Sequence, residues 1–184
     1  MSKPRSKSRP TWTDVKAELA AFDRAGLVRL IQDLYVAHRD NQTFLHTRFG
    51  LAQDALQPYK AAIELWIYPD VFGPGDMSIS KAKKAISDYK KAIGQPEGFV
   101  ELMVYYCELA TDFCDEFGMQ DAAYFRAMVA MFEKAIQHAN TLPGDQRDRF
   151  LKRLDQVRCV AHNFGYGVGD ELDDLLSGCA DGED

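Results

Sequence analysis

Glu97-Gly-Phe-Val-Glu-Leu-Met-Val-Tyr-Tyr-Cys-Glu-Leu-Ala-Thr-Asp-Phe-Cys-Asp-Glu-Phe117 has one readable hydrophobic period. Phe99, Leu102, Met103, Tyr106, Leu109, Ala110, Phe113 and Phe117 recur every three or four residues, the spacing of one face of an α-helix. Val100, Val104 and Cys107 widen that face past half the circumference, and a helix that apolar is covered on more than one side. Gly118 ends it, and residues 120–140 repeat the pattern with Phe125, Met128, Val129, Phe132, Ala135, Ile136 and Ala139. A connection that short packs the two helices antiparallel.

The same period runs outward in both directions. Thr13 reads as the cap of a first helix, with Asp14 in its first turn and Val15, Leu19 and Phe22 along one side. A second helix follows Asp23, and Leu27, Leu30, Ile31, Leu34 and Tyr35 give it a clean amphipathic stripe. Asn41 begins a third, carrying Phe44, Leu45 and Phe49 and closed by Gly50. From Leu51 the chain stays helical, with Pro58 opening a first turn or kinking the run, up to Pro69 and Gly73-Pro74-Gly75. Ser78 or Ser80 caps a fifth helix along Ala82, Ile86, Tyr89 and Ile93, which Gly94 and Pro96 stop. Beyond Pro143-Gly144, a helix over 145–162 presents Phe150, Leu151, Leu154, Val157 and Ala161. Phe164-Gly-Tyr-Gly-Val-Gly169 makes a sharp turn, and Asp170 caps a final short helix with Leu172, Leu175 and Leu176.

These readings predict an all-α fold of about eight amphipathic helices, packed as antiparallel hairpins in a helical-repeat-like array. A single helical domain spans 11–177, between a disordered basic arm at 1–10 and an acidic, frayed tail at 178–184. With 184 residues the chain is long enough for one domain with a real core.

The net charge of −6 is unevenly spread. Residues 1–93 carry 15 Lys/Arg and 10 Asp/Glu, whereas 94–184 carry 7 and 18. That split steers an acidic partner to the first half or a basic one to the second. No run approaches 18 apolar residues, so a membrane is not among the expected partners. Residues 1–10 are charged without an apolar stretch, which does not read as a secretory signal. Cys107, Cys114, Cys159 and Cys179 show no CxxC, and the expected setting is a reducing cytoplasm.

Few groups suggest chemistry, and no cofactor is expected. The Gly-rich turn at 164–169 follows a helix, has the spacing GxGxG and precedes Asp170-Glu171, so it suits a turn better than a phosphate loop. Cys159 and His162, three apart on one helical face, are the candidate metal pair; further ligands would come from His38, His46, His138 or the acids. Glu108, Asp112, Asp115 and Glu116 read as a solvated edge that raises the pKa of Cys107 and Cys114. Contact with nucleic acid would draw on Lys3, Arg5, Lys7, Arg9, Lys81 and Lys84, with Lys83, Lys90 and Lys91 beside them, but no exposed aromatics are interleaved.

Two resemblances follow from particular residues. Arg158-Cys-Val-Ala-His162 resembles the Arg–His motif of the HEPN superfamily of all-α ribonucleases, with three residues between the pair and no Asn or Asp directly after the Arg. The resemblance implies Arg158 on a phosphate oxygen and His162 as acid or base. Leu27-Val-Arg-Leu-Ile-Gln-Asp-Leu-Tyr35 with Asn41-Gln-Thr-Phe-Leu45, Ser80-Lys-Ala-Lys-Lys-Ala-Ile-Ser-Asp-Tyr-Lys-Lys91 and Gly165-Tyr-Gly-Val-Gly-Asp-Glu-Leu172 are similar to an uncharacterised bacterial family of small all-helical proteins, a domain of unknown function. That likeness implies a bacterial, cytoplasmic, all-α protein and carries no catalytic residue. The function expected is a non-enzymatic helical module that binds or scaffolds another protein; the alternative is a nucleic-acid-associated protein or ribonuclease using Arg158 and His162.

Overall fold

Helix caps and left-handed glycines decide where each element starts and stops. The computed structural model describes residues 9–51, 54–73 and 75–180. Among them it forms nine α-helices and no strand: α1 (Trp12–Leu19), α2 (Arg24–Ala37), α3 (Arg39–Arg48), α4 (Gln57–Ile67), α5 (Ile79–Ala92), α6 (Pro96–Phe117), α7 (Ala122–Ala139), α8 (Gly144–Ala161) and α9 (Val168–Ala180). The all-α reading holds, with one helix more than the sequence suggests.

Some boundaries differ for local reasons. The Asp14 carboxylate accepts both the backbone N–H and the hydroxyl of Thr11 at 2.7 Å, so Thr11, not Thr13, caps α1. Asp23 caps α2 as expected, accepting the Gly26 N–H at 2.7 Å. Pro58 falls in the first turn of α4, where its missing N–H costs nothing. Tyr166 and Gly167 both adopt left-handed φ, 64° and 71°. The chain therefore re-enters a helix at Val168, and Asp170 lies in the first turn of α9 instead of capping it. Of the expected basic arm, residues 1–8 lie outside the described residues; of the expected tail, 178–180 continue α9 and 181–184 lie outside them.

The chain divides into two compact units, Met1–Leu45 and His46–Asp184, each described by itself. In the first, α1 and α2 hold no buried residue. Side chains of α3 finish α2: Asn41 Nδ2 donates to the Leu34 carbonyl at 2.6 Å and Gln42 Nε2 to the Tyr35 carbonyl at 3.0 Å. Those carbonyls belong to the last turn of α2, which has no intrahelical donors left for them.

In the second unit α6 is the axis. It touches α4, α5, α7 and α8, and this explains an apolar arc too wide for one neighbour. The hairpins α4–α5 and α6–α7 are present, while α9 lies against α7 and α8. Leu102, Met103, Tyr106, Met128, Phe132, Phe150, Leu154 and Leu172 form its dry centre. Helices α5 and α6 meet at Gly98, where an added Cβ would sit 2.0 Å from the Tyr89 hydroxyl oxygen and 2.7 Å from its Cζ. Only glycine lets the buried Tyr89 ring pass.

Ion pairs line the seams around α6. Arg153 on α8 grips Glu108 with two bonds of 2.7 Å and reaches Glu101 at 2.5 Å. Lys60 on α4 reaches the same Glu101 at 2.6 Å, and Arg149 bonds Glu97 at 2.8 Å. Burial alone pushes the Glu101 carboxyl up, but the bonds and charges of Arg153 and Lys60 outweigh it and hold the group below the ordinary Glu value.

Candidate functional site

A concavity of the second unit lies between α4 and α6. It is a cleft of about 440 Å³ lined by Glu64 of α4, by Tyr68 at the cap of that helix, and by Leu109, Asp112, Asp115 and Glu116 from α6. Two acids one turn apart on a helix share a side, so the spacing at 108, 112, 115 and 116 concentrates carboxylates along one edge. The sequence shows those four as a solvated edge; it does not show that α4 brings Glu64 and Tyr68 opposite them. The Tyr68 hydroxyl bonds the Glu116 carboxylate, which pushes the phenol up to about 12. Burial, then repulsion from Glu108, Asp115 and Glu116, pushes the Asp112 carboxyl up. The cleft thus holds a negative potential suited to cations and hostile to phosphate.

The crowding has a stability consequence. A carboxyl raised in the folded state keeps its proton better there than in the unfolded chain. Its contribution is therefore intact below the ordinary value of 3.8 and is lost as pH rises through the raised value. Asp112→Asn is expected to stabilise the protein at pH 7 by a few tenths of a kcal/mol, a small effect because the side chain is exposed. In paired thermal melts the gain should disappear below pH ~4.

Arg158 and His162, the two residues singled out for RNA chemistry, do come together, around a third that the sequence did not point to. Arg158 Nη1 donates to Asp173 at 2.6 Å and its Nε to Asp155 at 2.9 Å. His162 Nε2 lies 3.2 Å from the same Asp173 carboxylate. The Arg158 bond, with help from His162, holds the Asp173 carboxyl below the ordinary value despite some burial. This is a clamp between the end of α8 and the start of α9. A Cβ on Gly169 would fall 2.5 Å from His162 Nδ1, so the close approach of ring and turn requires glycine there. A phosphate entering this corner would have to displace carboxylates from Arg158 and would face Asp155, Asp170 and Asp173.

The metal pair is rearranged in the same corner. His162, Asp170 and Asp173 place ligand atoms within 4.8 Å of one another, and Cys159 does not join them. Cys159 is exposed, and Arg158 Nη2 lies 3.4 Å from its sulfur. The charge of Arg158 and the positive end of α9 both work against a cation here. Cys107 and Cys114 are buried and free. Burial raises both thiols, Cys114 to about 12, so desolvation and not the neighbouring acids is the main cause of the shift, which disfavours the thiolate.

The six basic candidates do not form one surface among the described residues. Lys3, Arg5 and Lys7 lie outside the described residues. Lys81 sits over the Trp66 ring at 3.6 Å, and Lys84 pairs with Asp88 at 2.6 Å. No helix among the described residues is long and apolar enough to cross a membrane. Comparison with protein-family models, curated proteins and solved structures finds no match to this chain.

Proposed function

We propose that this chain is a non-enzymatic helical module that binds another protein through the apolar stripe of α2. One observation carries the reading: α2, the most regular amphipathic helix of the first unit, keeps large apolar side chains exposed. Of the stripe Leu27, Leu30, Ile31, Leu34 and Tyr35, Ile31 and Leu34 are 48% and 52% exposed with Val28 beside them at 59%, while Leu27, Leu30 and Tyr35 are half-buried. A helix of 14 residues is marginal in water on its own and takes most of its stability from packing that stripe. Contiguous exposed apolar surface on a helix is a docking surface.

The stripe also states what fits it. Its period matches the ridges of another amphipathic helix. Between residues 24 and 40 three arginines (Arg24, Arg29, Arg39) face two acids (Asp33, Asp40), so the flanks are nearly neutral and recognition is apolar. The partner is thus a protein presenting an apolar-striped helix.

Ile31→Asp together with Leu34→Asp is the test. A helical partner captured by the wild-type chain should bind the double variant at least ~10-fold more weakly, since each change buries a charge in an apolar contact. The melting of the second unit should not move. Unchanged affinity for that partner in the double variant would refute the assignment, as would the absence of any partner whose retention depends on these two positions.

A further inference from the structure

A cationic cluster on the α5–α7 side of the second unit has no use in the reading above. Lys83 and Lys90 lie seven residues apart on α5, two turns along one side of the helix. Lys134 and His138 lie one turn apart on α7. Phe99, from α6, joins the two groups: Lys90 Nζ is 4.8 Å from its ring centroid, and the His138 ring meets it edge-on at 5.0 Å. Lys134 shares a side of α7 with His138, and its charge acts on both His138 and Lys83. Burial first, and then these like charges, push Lys83 and His138 down from their ordinary values.

The acids nearby are committed elsewhere. Asp88 takes Lys84 and Lys91, Glu97 takes Arg149, and the Glu133 carboxylate accepts from Gln137. Among the described residues no carboxylate forms an ion pair with Lys83, Lys90, Lys134 or His138. A chain of net charge −6 has carboxylates to spare, yet it gathers these four basic groups with none between them. Such crowding is unfavourable until an anion enters.

The geometry points to a phosphate-binding site formed by Lys83, Lys90, Lys134 and His138. Three ammonium groups on flexible stems close on a compact dianion as point charges, and His138 adds an N–H bond. Phe99 is half-buried, with Lys90 on its face and His138 against it, so it offers a nucleobase no platform for stacking. The ligand is therefore a compact phosphate or pyrophosphate group and not a nucleic-acid strand. The site was hidden in the sequence because Lys134 and His138 lie more than forty residues beyond the lysine-rich helix.

The experiment titrates the full chain with inorganic pyrophosphate at low salt, following heat and the His138 ring resonances. Saturable binding is expected, with the His138 titration midpoint moving to higher pH as the anion stabilises the imidazolium. Lys134→Gln is expected to weaken binding at least ~10-fold, because it removes the charge shared by both halves of the site. Lys84→Gln, whose lysine already pairs with Asp88, should leave the affinity unchanged. Absence of saturable binding, a stationary His138 midpoint, or equal losses in Lys84→Gln and Lys134→Gln would overturn the site. A single-stranded oligonucleotide that binds more tightly than pyrophosphate, with the same dependence on Lys134, would overturn the compact ligand.

Discussion

Gly98→Ala is expected to lower the stability of the second unit by about 3 kcal/mol, a fall of roughly 10 °C in melting temperature. The added methyl would overlap the Tyr89 hydroxyl at 2.0 Å and the ring carbon beneath it at 2.7 Å, with Leu56 Cδ2 at 3.1 Å on another side. Tyr89 is fully buried and stacks edge-on against Tyr59 at 5.4 Å, so its ring has no free direction in which to move. Helices α5 and α6 must separate instead. Tyr89→Phe provides the internal control. It removes the oxygen that makes the worst clash, so the double variant should lose less than the sum of the two single losses. Thermal melts of the four proteins measure this. A Gly98→Ala protein that melts within ~2 °C of wild type would mean that α5 and α6 are not held at this spacing.

The second large effect is expected at Arg153. Its guanidinium neutralises Glu101 and Glu108 in a seam where these side chains are only 16% and 29% exposed. Arg153→Met keeps much of the stem's packing but leaves two half-buried carboxylates facing each other, with Lys60 alone to balance them. A loss of about 2–3 kcal/mol follows, below that of a fully buried pair because the seam still reaches water. The pH dependence identifies the cause. In the wild type the Glu101 carboxyl is held low, so its contribution is present above the ordinary value of 4.5 and is lost as pH falls through the lowered one. In the variant the unpaired carboxylates are best tolerated when protonated, so its deficit should be largest at neutral pH and shrink as pH falls toward 4. Glu108→Gln in the Arg153→Met background should recover part of the loss. A deficit independent of pH would assign the effect to packing alone.

Much of the helical architecture could be read directly from residue spacing. The wide apolar arc of residues 99–117 implied cover on several sides, and α6 is indeed touched by four other helices. Gly94, Gly118 and Pro58 marked ends and starts because φ > 0 and a missing N–H are tolerated in few places. The sequence misled where two neighbouring residues competed for one role: Thr11 and Thr13 for a cap, and the Tyr166-Gly167 turn and Asp170 for the start of α9. At α2 the reading held, from the Asp23 cap to the helix itself. Its periodicity is that of a buried helix, but periodicity shows only which side of a helix is apolar, not whether anything covers it.

Local sequence alone determined the helices, since their periods, caps and breakers act over three or four residues. It also pointed to raised thiols at Cys107 and Cys114, although the cause is burial more than charge. Only the tertiary structure decided which side chains meet. Asp173 joins Arg158 to His162, Glu64 and Tyr68 close a cleft over Asp112, and Phe99 joins Lys90 to His138. These groups lie tens of residues apart or on separate helices, and no periodicity links them. The meeting is set by the crossing of helices around α6, which depends on how side-chain volumes such as Tyr89 against Gly98 interlock across the whole core.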